Sequence, residues 1–155
     1  MKALAILATL VLISCTRQPD SLTAERKREI ENELRQITQS IYDKASTKDL
    51  SYNEPISDSV TGIFSGTVME SWQRHKQEMA AFFNSQEKIE GAIDITEVKM
   101  LSNTSAIVVG KYQIKATDKA GQIISSAPAC ISYVYQLQGG KWKVVHFHDS
   151  EQRQP

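Results

Sequence analysis

Tyr133-Val134-Tyr135-Gln136-Leu137, followed by Gln138-Gly139-Gly140 and then Lys141-Trp142-Lys143-Val144-Val145-His146-Phe147-His148-Asp149-Ser150, is the stretch that decides the fold. Two adjacent glycines between alternating runs read as a β-hairpin, because glycine reaches the left-handed backbone of a tight turn without a steric penalty. The loop length then sets which side chains share a face. If Gly139-Gly140 alone forms a two-residue loop, Leu137 pairs with Trp142, and Tyr133 and Tyr135 share a face with His146 and His148. If Gln138-Gly139-Gly140 forms a three-residue loop with a bulge at a left-handed Gly140, Tyr133 opposes Val145 and shares a face with Phe147 and Asp149. The two readings swap the histidines.

Working upstream, period two continues back to about residue 87. Ile123 to Leu137 reads as one strand interrupted at Pro128, which suits an edge or a bulge. Asp118-Lys119-Ala120-Gly121 is a turn. Ala106 to Thr117 is a strand with Lys111, Gln113 and Lys115 on one face and Tyr112, Ile114 and Ala116 on the other. Ser102-Asn103 turns the chain. Before it, Ile93 and Ile95 fall out of phase with Val98 and Met100, so a bulge is expected at Thr96-Glu97.

Further upstream the period changes to that of a helix. Trp72, His75 or Lys76, Met79, Phe82 and Phe83 predict a helix from Glu70 to about Asn84. Ile30, Leu34, Ile37, Ile41 and Ala45 predict a longer one from Leu22 to about Ser46, with Asp20 or Ser21 as its cap and Thr47-Lys48-Asp49 as its end. Residues 51 to 60 read as an irregular connection, and Gly62 to Val68 as a short strand pair around a tight turn. Helices followed by a meander of antiparallel strands predict an α+β domain over residues 22 to 150, with helices on one face of a curved sheet.

The first 14 residues are of another kind. One positive charge, Lys2, precedes twelve uncharged, mostly apolar residues, Ala3 to Ser14, too short to span a bilayer and suited to a secretory leader. The leader ends in Leu12-Ile13-Ser14-Cys15, which resembles a bacterial lipobox and implies cleavage before Cys15 and lipidation of that cysteine. Residues 15 to 21 then form the lipidated cysteine and its tether, and Glu151 to Pro155 a polar tail. A bacterial cell envelope location follows, and Thr16 after the cysteine implies the outer membrane, facing the periplasm, in a Gram-negative cell.

Removing 14 of 155 residues leaves 141, enough for one domain. The remainder carries 17 basic and 18 acidic side chains, a balance of −1 that offers no footprint for nucleic acid. Cys130 then has no intrachain partner and is expected as a small core residue.

The terminal strand, with Tyr133-Val134-Tyr135 before it, resembles the SnoaL-like branch of the nuclear transport factor 2-like superfamily. Within that branch it is similar to the association domain of calcium/calmodulin-dependent kinase, whose last strand shares Gly-Lys-Trp, then Val-His-Phe-His, then Ser. The resemblance implies a cone-shaped, curved antiparallel sheet wrapped around the long N-terminal helix, a pocket at the open end and a homodimer through the outer sheet face. It also favours the second hairpin register, since it places pocket groups at Tyr133 and Asp149.

The expected pocket is lined by Tyr42, Trp72, His75, Tyr133, Tyr135, Val145, Phe147 and Asp149, suiting a small, mostly apolar molecule. Isomerase relatives imply Tyr42 and Tyr133 as hydrogen-bond donors and Asp58 or Asp149 as base, for proton transfer beside a carbonyl. That set is incomplete, so binding without conversion is the first expectation, an isomerase-like enzyme the second and an assembly module without ligand the third. Kinase relatives bind carboxylates through pocket arginines, but the matching positions here are Tyr133 and Asp149. His146 and His148 could present two metal ligands on one strand face, but no third ligand announces itself, so neither metal nor cofactor is expected.

Overall fold

The computed structural model describes residues 22–64, 66–125 and 128–151; the leader, Cys15, the proposed caps Asp20 and Ser21 and residues 152–155 lie outside them. The long helix, α1 (Ala24–Ser46), starts instead at Thr23, whose extended backbone lets its side chain accept a hydrogen bond from the Arg26 amide at 3.1 Å. It buries Ile30, Leu34, Ile41 and Tyr42, and also Thr38, which the apolar spacing passes over. Ile37 and Ala45 flank this stripe half-buried. After α1 the chain reverses through Lys48, whose φ of 59° is left-handed, and the Lys48 ammonium donates to the main-chain oxygens of Gln86 and Glu87.

The segment expected to be irregular is ordered. Leu50–Asn53 forms a single 3₁₀ turn, and Ile56–Phe64 is a strand, β1, followed by the two-residue strand β2 (Thr67–Val68). The run Ser57-Asp58-Ser59 hides β1 from periodicity, because the strand breaks register there between Ile56 and Thr61. The second helix, α2 (Trp72–Ser85), is capped by Ser71 and passes without a loop into β3 (Gln86–Ser102). Strands β4 (Ser105–Asp118), β5 (Ile123–Ser125), β6 (Ala129–Gln138) and β7 (Lys141–Glu151) complete a sheet ordered β2-β1-β7-β6-β4-β3.

The pairing is antiparallel except at β1 and β7, which run parallel. Only tertiary structure could bring these two together, since 76 residues separate Phe64 from Lys141. Strands β5 and β6 lie in succession along the same edge of β4, so the interruption expected near Pro128 is present. The bulge in β3 is also where the phase change puts it: Ile95 faces Gly110 and Glu97 faces Val109, leaving Thr96 as the extra residue.

The hairpin between β6 and β7 combines parts of both expected registers. Gly139 and Gly140 form a two-residue loop with φ of 56° and 77°, and Leu137 pairs with Trp142. The ladder then slips: Tyr135 faces Val144, but Val134 faces His146, so Val145 has no opposite residue. Beyond this bulge Tyr133 pairs with Phe147 and Ile131 with Asp149. Phe147 and Asp149 therefore point inward with the tyrosines, while His148 is exposed and His146 lies on the outer face against Thr61. The expected face is present, but it is produced by a bulge inside β7 and not by the turn.

Cys130 corrects an expectation in the same way. It is exposed, because its neighbours Ala129 and Ile131 take the inward positions of β6 and period two turns Cys130 outward. The core lies between the inner sheet face and the two helices, where Tyr135, Leu34, Val108, Val144 and Thr38 are sealed from solvent. Tyr135 is held there by hydrogen bonds. The Thr38 hydroxyl donates to the Leu34 carbonyl at 2.8 Å, so the Tyr135 phenol donates to Thr38 at 2.9 Å.

Candidate functional site

Between α1, α2 and the inner sheet face lies a cavity of about 150 Å³. Successive turns of α1 supply Ile41, Tyr42 and Ala45, and the 3₁₀ turn supplies Tyr52. The inward positions of β4, β6 and β7 supply Tyr112, Ile114, Ile131, Tyr133, Phe147 and Asp149. The wall is largely apolar, and four of its polar groups form two hydrogen-bonded pairs. The Tyr42 and Tyr133 hydroxyls are hydrogen-bonded at 3.3 Å, and the Tyr112 phenol donates to Oδ2 of Asp149. The Tyr42 and Tyr112 rings sit 5.6 Å apart, which joins the two pairs.

Burial controls the protonation of these groups. Tyr42 is pushed far above the ordinary phenol range, first by burial and against the lowering effect of its bond to Tyr133; nearby Tyr112 and Asp149 add to the rise. Tyr133 is raised in the same direction, again first by burial and then by Tyr42, Asp149 and Tyr52. Tyr52 is pushed up to about 12 by burial. These phenols are thus neutral hydrogen-bonding groups at any physiological pH, unable to act as bases. His75 moves the other way: burial lowers its pKa, opposed by Glu78, so the ring is kept uncharged.

At the side of the cavity nearest α2, three planar groups are stacked. The His75 ring lies 4.8 Å from Phe64 and 5.1 Å from Trp72, and Phe64 packs edge-on against Phe147 at 4.8 Å. Trp72, only 4% exposed, is both a core residue and part of the lining.

The structure brings Tyr42, Trp72, His75, Tyr133, Phe147 and Asp149 together around this cavity. Tyr135 does not line it, because its hydroxyl is taken by Thr38 and its ring is enclosed. Val145 does not line it either, because it is the bulge residue of β7. Asp58 lies outside, solvent-exposed and 3.4 Å from the Lys76 ammonium, so it cannot serve as a base in the cavity. The lining also includes Tyr52, Phe64 and Tyr112, which sequence reasoning left out of the site. For Tyr112 a signal existed, its place on the apolar face of β4; for Tyr52, inside a segment read as irregular, there was none. Among the described residues no group of three His, Cys, Asp or Glu side chains could hold a metal ion.

Residues 26–153 match the model of the calcium/calmodulin dependent protein kinase II association domain. The chain belongs to that family. The kinase's association domain from C. elegans shares the fold of this association domain, with 20% identity over 81% of this chain and 98% of the other and a TM-score of 0.64. A nuclear transport factor 2-like superfamily protein from Salmonella enterica gives a TM-score of 0.68 at 12% identity, covering 83% and 94% of the two chains. A protein provisionally called a scytalone dehydratase, from Novosphingobium aromaticivorans, gives 0.74 at 7% identity, covering 84% and 89%. No match is found among curated protein sequences. At these identities the likenesses define the fold of this association domain, a curved open sheet wrapped on an N-terminal helix, and its chemistry has to be read from its own side chains.

Proposed function

We propose that this protein is an envelope lipoprotein whose cone binds a small, mostly apolar molecule and does not convert it. The observation that carries this reading is the cavity itself, an aromatic and aliphatic chamber with one polar cluster made by Tyr42, Tyr133, Tyr112 and Asp149. Its volume decides the size of the guest. A dry cavity of about 150 Å³ takes roughly one six-membered ring and excludes a polycyclic one. Non-conversion is supported by the engagement of the lining carboxylate Asp149 by the Tyr112 phenol, with the other candidate base, Asp58, outside the cavity.

Phenol is the natural probe, with a ring for the chamber and a hydroxyl for the cluster. Calorimetric titration is expected to show one site per chain, and Tyr133→Phe to weaken phenol roughly fivefold while leaving the fold intact, the loss of about 1 kcal/mol expected for one hydrogen bond. Absence of binding, or equal affinity for both proteins, would refute the assignment.

Anchoring rests on the run Leu12-Ile13-Ser14-Cys15. Radioactive palmitate should label the protein in cells and fail to label Cys15→Ser; unchanged labelling would remove the anchor from the proposal. Homodimerisation rests on the outer sheet face, where Ile107, Val109, Val134 and Val145 are only half-buried within one chain, and on the relatives' designation as association domains. Sedimentation should return twice the chain mass, and a monomer at all concentrations would exclude the dimer.

A further inference from the structure

The cavity does not stand alone. A second hollow of about 250 Å³ opens on the surface beside the first turn of α2, with Thr67, Glu70, Arg74 and Glu78 in its walls. Phe64 and His75 belong to the linings of both hollows. Their stacked rings are therefore the partition between them. The inner chamber has room for a single ring, and the two together offer about 400 Å³, within the roughly 300–1,000 Å³ usual for small-molecule sites.

The partition also stands beside the edge of the sheet. Phe64 ends β1, paired with Asp149 of β7 on one side and on the other with Thr67 of β2, a two-residue strand at the edge of the sheet whose Val68 is 71% exposed. The β2 wall of the hollow is therefore the side that yields at low cost, because few buried contacts hold it.

Charge selects the guest. In the outer hollow the Arg74 guanidinium is held between two carboxylates, Glu70 and Glu78, the latter at 2.9 Å, so three charges sum to −1. An anionic head would have to displace a carboxylate already bound to Arg74, whereas a basic head meets a net negative cluster in which two carboxylates share one guanidinium. The inner chamber adds Asp149 and no cationic lining residue, since burial holds His75 in its neutral form. We propose that the site is bipartite: the chamber and the hollow join across Phe64 and His75 to take an arylalkylamine, with its single ring inside and its ammonium between Glu70 and Glu78.

This rests on the pocket reading above, and the probes separate the two. Calorimetric titration of the full-length protein with 2-phenylethylamine, phenylacetate and toluene is expected to rank the amine first, about threefold to tenfold tighter than the others, the range of one or two exposed ion pairs. The double change Glu70→Gln and Glu78→Gln, on exposed side chains outside the core, should erase that advantage and leave toluene binding unchanged. An amine no tighter than toluene, or an advantage that survives the double change, would overturn the bipartite site while the inner pocket stands. Failure of toluene and phenol alike to bind would overturn the pocket, and this inference with it.

Discussion

Gly62→Ala is expected to cost about 3 kcal/mol of stability, the upper part of the range for overpacking a filled core. A methyl group at residue 62 would lie 2.2 Å from the tip of the Phe147 ring and 2.6 Å from both neighbouring ring carbons. Such an overlap would be cheap if the ring could swing away. Phe147 cannot, because it is 3% exposed and packs against Phe64 on one side and Tyr133 on the other. Gly62 and Phe147 are paired residues on the parallel strands β1 and β7, so the backbone cannot open without breaking that ladder. Urea unfolding measures the effect. Against a total of about 5–15 kcal/mol, the variant should retain folding with a much lower midpoint. Adding Phe147→Leu should recover part of the loss, since the two changes share one contact and are not additive. A loss under about 1 kcal/mol for Gly62→Ala alone would mean that Phe147 is free to move away from β1.

Raising the pH above 10 is expected to unfold the domain in one cooperative step. Tyr42, Tyr133 and Tyr135 are each held well above the ordinary phenol value of 10.0, chiefly by burial. The folded state therefore keeps protons that the unfolded chain releases. Stability from this source is fully present below pH 10 and falls as pH rises past it. Each phenol contributes about 1.4 kcal/mol per pH unit in that window, so three lose roughly 4 kcal/mol per unit and about 8 by pH 12. That approaches the whole stability of an ordinary domain. Tyrosinate absorbance and loss of circular dichroism should rise together, and Tyr135→Phe should flatten the stability slope by about 1.4 kcal/mol per pH unit. Tyrosinate appearing progressively while the dichroism stays native would show that these hydroxyls are open to water.

Much of the architecture was legible because it rests on local rules. The spacing of Ile30, Leu34 and Ile41 marks the buried stripe of α1 without reference to the rest of the chain. The phase change across Thr96 marks the bulge in β3, because period two cannot accommodate an odd step. Gly139-Gly140 dictates a tight turn, since both residues take positive φ. The terminal motif carried the family, which the match over residues 26–153 bears out.

The site was legible only in part, for a different reason. Tyr42, Tyr133 and Asp149 come from three elements, and their meeting depends on how those elements pack. β1 was hidden because its partner β7 is remote in sequence and its polar run Ser57-Asp58-Ser59 sits where the register breaks. Tyr135 and Tyr133 look equivalent along β6, yet one is closed off by Thr38 and the other meets Tyr42 at the cavity.

What the sequence determined by itself, then, is the order of elements, the turn at Gly139-Gly140 and the apolar faces of α1 and β4, all consequences of backbone preference and of the two helical and strand periods. Which face of β7 looks inward was decided only by the tertiary structure. Val144 and Val145 are chemically interchangeable, so no local rule says which of them drops out of the ladder. Packing across the sheet chooses Val145, at the level where β1 also breaks register, and that single unpaired residue turns Phe147 and Asp149 toward the cavity and His146 and His148 away from it.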